Sequence, residues 1–209
     1  KFCNIKTSSY KKFSKKFEFE NKIILYGFSP LTRRHFWDID NENNRYIEFE
    51  INFLKKIKKE FKKKTVYKIH DTNLHNLSYI KKKFIKINPS IKIISYHRKI
   101  SDSKNKLSIF SYDSTGFYEH LSLNKPCIIF MPDIKSELNY FGLKQYLPLL
   151  KNSIIFKDEE KMAKFINTNW DNILEWWYSP KIQKEIKNFS EKLTKYDENY
   201  FKKILTNFQ

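Results

Sequence analysis

Three adjacent polar residues, Asp113, Ser114 and Thr115, stand between the mostly apolar run LSIF and a helix-like stretch that begins near Gly116. A helix start presents unpaired backbone amides and the positive end of its dipole, so it favours an anion. The amides of Thr115, Gly116 and Phe117 would face outward here, and two hydroxyls would add donors. Gly116 would let a ligand approach the backbone closely. A phosphate or a nucleotide diphosphate fits such a corner. The same residue types are ordinary helix N-caps, which need no ligand, so both readings stand at this point. Glu119, one turn further in, either accepts from sugar hydroxyls or is a solvated acid favoured by the dipole.

Three more corners carry polar groups: Gly27 to Pro30 with Ser29, His70 with Asp71, and Pro132 with Asp133. His70 suits contact with a phosphate, and Asp71 suits a hydroxyl or an orienting role. A lone His at a strand end is also a common hydrogen-bonded structural residue. His35, His75, His97 and His120 show no metal-binding spacing, so no metal site is expected. With three glycines in the chain, neither a G-x-G-x-x-G turn nor a Walker loop can be present. Cys3 and Cys127 match no metal or disulfide framework, which fits a reducing, cytoplasmic setting.

The elements that must position these corners read as alternating strands and helices. NKIILYGF is a continuous apolar strand, and RYIEFEINFLKKIKKEFKKK spaces Tyr46, Phe49, Phe53, Leu54, Ile57 and Phe61 along one face of a single helix. TVYKI, IKIISY, LSIFSY, CIIFM and NSIIF are further strands, separated by helices at LHNLSYIKKKFIKI, Gly116 to Leu123 and Leu138 to Leu150. From Asp158 the chain reads as helices interrupted around Ser179 and Pro180. Unbroken apolar strands alternating with helices predict an α/β, doubly wound, mainly parallel sheet of about six strands, Rossmann-like, with C-terminal helices. Ligands of such sheets sit beyond the carboxyl ends of the strands, near the reversal of strand order. The expected division is 1–20 as a linker or edge segment, 21–178 as the Rossmann-like domain and 179–209 as a C-terminal helix packed on it.

The formal charge of +18 raises nucleic acid as a partner. Composition argues against it: only Arg33, Arg34, Arg45 and Arg98 are arginines, although Arg is the residue that phosphate forks and base readout favour. Val66 is the only Val and Ala163 the only Ala, a skew that resembles the codon bias of an AT-rich genome. No nucleic-acid partner is expected. No apolar run approaches the roughly 20 residues of a membrane span, while the lysine-rich surface is compatible with resting on anionic lipid at the inner face of a membrane. Trp170, Trp176, Trp177 and Tyr178 read as packing that docks the last helix.

Two stretches together resemble a known family. SYDSTGFYEHLSLNKPCIIFMP and NWDNILEWWYSPKIQKEIKNF are similar, in order and spacing, to segments in the C-terminal half of surface-carbohydrate transferases of GT-B-like architecture. The first stretch is also similar to teichoic-acid-type glycerophosphate polymerases. The resemblance spans roughly Lys22 to Phe189. It implies the donor-binding half of a two-domain glycosyltransferase of surface-polysaccharide biosynthesis, with Asp113, Ser114, Thr115 and Glu119 lining the donor site. It also implies that the nucleotide-sugar donor is a substrate rather than a cofactor, with a carbohydrate or lipid-linked acceptor. The catalytic base would lie on an N-terminal half, so no catalytic residue is assigned in this chain. Where the family pattern leads one to expect an Arg near His70 and Asp71, this chain has Lys68. The alternatives are a polyol-phosphate transferase using a CDP-linked donor, and a non-catalytic basic binding module.

Overall fold

The computed structural model describes residues 19–27, 40–69, 77–95, 104–134, 138 and 140–193. Ser29, His70 and Asp71 lie outside the described residues, as does most of the expected N-terminal segment. Six strands form one sheet: β1 (Glu20–Tyr26), β2 (Thr65–Ile69), β3 (Lys92–Ser95), β4 (Asn105–Phe110), β5 (Cys127–Phe130) and β6 (Ile155–Phe156). Their order is β3-β2-β1-β4-β5-β6, and every pairing is parallel. The predicted α/β doubly wound sheet is therefore present, and strand order reverses between β1 and β4.

Eight helices are present among the described residues: α1 (Asp40–Lys56), α2 (Lys59–Lys64), α3 (Leu77–Ile87), α4 (Thr115–Ser122), α5 (Tyr140–Lys151), α6 (Glu159–Asn169), α7 (Ile173–Trp177) and α8 (Pro180–Leu193). Alternation along the strands divides the core in two. Ile23, Leu25, Tyr67, Leu107 and Ile109 face one side, against Phe53 of α1, Phe84 of α3 and Ile166 of α6. Tyr26, Phe110 and Ile129 face the other, against Phe117 of α4, Leu149 of α5 and Ile186 of α8.

The single helix expected over residues 45–64 is two, α1 and α2. At the break Lys58 is extended, with φ −57° and ψ 148°. The cause lies on α6, where the Asn167 side chain accepts from the Lys58 amide at 2.8 Å and donates to the Lys56 carbonyl at 3.1 Å. One amide thus satisfies the end of α1 and the start of α2, which local periodicity cannot reveal.

Candidate functional site at the carboxyl rim

Because all strands are parallel, the residues following each strand lie on one rim. The point of reversal between β1 and β4 leaves a crevice there, since the connections leave to opposite faces. Ser111 closes its floor: its amide and its hydroxyl both donate to the Tyr26 carbonyl, at 3.3 and 3.1 Å. Tyr112, Asp113, Ser114 and α4 follow directly. The structure thus places Asp113, Ser114, Thr115, Gly116 and Glu119 together beside the reversal point.

Ser114 occupies the N-cap position with extended backbone, φ −127° and ψ 154°, yet its side chain makes no capping hydrogen bond. Asp158 shows the contrast at α6, where its carboxylate accepts from the Lys161 amide at 2.8 Å. The Ser114 side chain is therefore not a cap of α4. One expectation needs correction: the Phe117 amide is not free but donates to the Ser114 carbonyl at 3.0 Å, tightening the first turn. What α4 offers at the rim are the Thr115 and Gly116 amides and the hydroxyls of Ser114 and Thr115.

Asp113 adds an acceptor. Its residue is open to solvent, but surrounding protein disfavours the charged form and raises its pKa, opposed by a hydrogen bond from Tyr118. Tyr118 in turn meets the hydroxyl of Tyr146 on α5. An ionised carboxylate can only accept, so the donors run from Tyr146 to Tyr118 to Asp113. Burial raises both phenol pKa values, and both tyrosines stay protonated. Half-buried Glu119 is raised by burial too. Carboxylates repel phosphate and accept from hydroxyls, so this corner combines anion donors with hydroxyl acceptors.

On the other side of the reversal point, sequence reasoning missed Glu50. It is fully buried on α1, and the Tyr67 hydroxyl donates to it at 2.8 Å. Burial raises the Tyr67 pKa well above its ordinary value, and Glu50 adds to the shift. Burial followed by Glu50 also raises Tyr112, the residue just before Asp113. A Cβ on Gly27 would lie 2.0 Å from the Tyr67 hydroxyl oxygen, so only glycine lets β1 exit beside that ring. The available signal was an acid on the apolar stripe of α1, between Phe49 and Phe53. Lys68, the residue standing in place of an expected Arg, is buried on the opposite face of β2 from Tyr67, its ammonium 5.2 Å from the centre of the Tyr26 ring.

The model of the LIC12162 family transferase matches residues 2–208. The chain belongs to this transferase family. No curated protein matches it. In this LIC12162-family transferase the tryptophans of the second resembling stretch reach Asn21 and Asn124 at the amino ends of strands, while its last residue, Phe189, stacks on Tyr118 with ring centres 6.3 Å apart. The Trp177 indole N–H donates to the Asn124 carbonyl and side-chain oxygen, at 3.3 and 3.1 Å. Gln183 exchanges two side-chain hydrogen bonds with Asn124, at 2.8 and 3.0 Å, and donates to the Trp177 carbonyl at 2.8 Å. Asn124 adopts a left-handed φ of 51°, a conformation Asn tolerates better than most residues. Trp170 is likewise buried, donating to Asn21 at 3.1 Å. The tryptophans are packing, as the sequence suggested.

Two reactive residue types of the transferase are structural. His120 is fully buried on α4 between the Gly116 carbonyl and the Ser108 hydroxyl, each at 2.8 Å, and burial lowers its pKa to about 3. Cys127 is buried on β5, and desolvation holds its thiol protonated. No group of three potential metal ligands occurs among the described residues. No helix among them is long and apolar enough to cross a membrane.

Proposed function

We propose that this transferase holds a nucleotide-linked sugar at the Asp113–Glu119 corner, as the donor-binding half of a glycosyltransferase of surface-polysaccharide biosynthesis. The hydroxyls of Ser114 and Thr115, with the amides of Thr115 and Gly116, receive the diphosphate. Asp113 and Glu119 accept from hydroxyls of the donor, and Ser29, His70 and Asp71 extend the site from the neighbouring strand exits. In transfer, the bond between the sugar and the diphosphate oxygen breaks and a bond to an acceptor hydroxyl forms. Charge gathers on the leaving diphosphate, where preoriented amides and the start of α4 stabilise it. The acceptor, a carbohydrate or lipid-linked chain, loses its proton to a base on a partner half facing this rim.

The observation that carries this reading is the uncapped start of α4 beside the strand-order reversal, in a chain of a transferase family. Calorimetric titration with UDP, GDP, CDP and CMP tests it. One diphosphate is expected to bind, with at least about tenfold loss in Ser114→Ala/Thr115→Ala, since each hydrogen bond to a charged group contributes roughly 1.5–3 kcal/mol. Selective binding of CDP would favour polyol-phosphate transfer, and absence of binding by all four would remove the donor reading.

A further inference from the structure

Phe189 of α8, the last residue of the second resembling stretch, is buried against tyrosines of two other helices. Its ring lies parallel to that of Tyr118 on α4, with centres 6.3 Å apart, and edge-on to that of Tyr146 on α5, at 5.0 Å. Both are favoured geometries for aromatic pairs. A phenol oxygen lies on the long axis of its ring, so fixing two rings fixes two hydroxyls, which here meet each other. Side chains of a helix lean towards its start, and Tyr118 reaches back past the first turn of α4 to donate to Asp113. Packing alone does not require this chain of hydroxyls, since phenylalanines would fill the space without the cost of burying polar groups. Asp113 also differs from a structural carboxylate, because its residue is exposed. The protein grips one side of a group that has about four lone-pair sites, and the rest remain open beside the Thr115 and Gly116 amides.

We infer that Phe189 and Tyr118, supported by Tyr146, are positioning residues that aim the Asp113 carboxylate at a hydroxyl of the donor's sugar. The inference rests on the proposed donor site and deepens it. The amides and hydroxyls at the start of α4 meet the diphosphate, and a carboxylate whose direction is set from α8 meets the sugar. The Tyr118 contact also favours the charged form of Asp113, against the burial that raises its pKa.

NMR of aspartate side-chain carboxyl carbons, with the Asp113 signal assigned by Asp113→Asn, reads this contact without any ligand. Tyr118→Phe should raise the Asp113 midpoint by about one pH unit, because the hydrogen bond that favours its charged form is lost. Phe189→Leu should raise it by a smaller amount, whereas Phe53→Leu, the same truncation in the core on the other face of the sheet, should leave it unmoved. Calorimetry then compares UDP, GDP and CDP with UDP-glucose, GDP-mannose and CDP-glucose. In the pair that binds, Tyr118→Phe should weaken the sugar-linked member about fivefold or more and the bare diphosphate less than about twofold. Equal loss for both members would overturn the sugar-facing role. An unmoved Asp113 midpoint in Tyr118→Phe, with diphosphate binding intact, would overturn the inference and leave the donor site standing. A shifted midpoint with no nucleotide bound would instead remove the donor site, and the sugar-facing role with it.

Discussion

His120 offers a quantitative check on the packing of α4. The Gly116 carbonyl can only accept, so the imidazole donates from Nδ1, and Nε2 accepts the Ser108 proton. The Ser108 oxygen also takes a hydrogen bond from the Asn105 amide at 2.8 Å. A proton on Nε2 would deprive the Ser108 hydroxyl of its acceptor and place a charge in a closed, apolar site. Desolvation therefore lowers the His120 pKa to about 3, with Lys125 and Lys68 acting in the same direction and the Gly116 carbonyl opposing. In the unfolded chain the value returns to about 6.5. A depressed folded-state pKa gives stability that is complete above the unfolded value and is lost as pH falls towards the folded one. The loss is about 1.4 kcal/mol per pH unit, hence about 2.7 kcal/mol by roughly pH 4.5. Asp113 and Glu119 have raised pKa values and act oppositely on acidification, so the raw curve mixes signs. The difference between the native protein and His120→Asn isolates the imidazole. Urea unfolding followed by tryptophan fluorescence should show that difference shrinking by this amount between about pH 7 and 4.5. A difference independent of pH would refute the buried, neutral imidazole.

Two further substitutions test contacts that join distant parts of the chain. Asn167→Leu should cost about 1–2 kcal/mol in urea unfolding, because both the end of α1 and the start of α2 lose a partner, and exchange of the Lys58 amide should quicken. Gln183→Leu should cost about 1–3 kcal/mol by leaving polar groups of Asn124 and Trp177 unpaired, while nucleotide affinity stays within about twofold of the native value. A large change in affinity with little change in stability would make the tryptophan region part of the ligand site.

The sheet was legible because each strand is an apolar run short enough to cross a covered sheet and bounded by turn residues. The break between α1 and α2 was not, since its cause sits more than a hundred residues away on α6. The Asp113–Gly116 corner could be located but not interpreted. Its composition is that of a cap, and only the free Ser114 side chain separates the two cases. Tyr118 and Tyr146 were unreadable as supports of Asp113, because helical spacing shows which face a tyrosine occupies but not which carboxylate its hydroxyl reaches. Glu50 was readable in principle, as a charge on an apolar stripe whose burial demands a partner.

The two resembling stretches meet in space at Asn124 and again where Phe189 stacks on Tyr118. The first runs from the rim along α4 to Asn124, and the second supplies Trp177 and Gln183, which grip Asn124. α4 has only eight residues, about 12 Å of helix, so its start cannot shift independently of its end. His120 ties the middle of this short rod to Ser108 on β4, and the Asn124 clamp ties its far end to α7 and α8. The Thr115 and Gly116 amides are thereby held by two anchors, His120 and the Asn124 clamp. Removing one should lower stability while the other keeps the helix start in register, which is why the Gln183 substitution is expected to spare affinity.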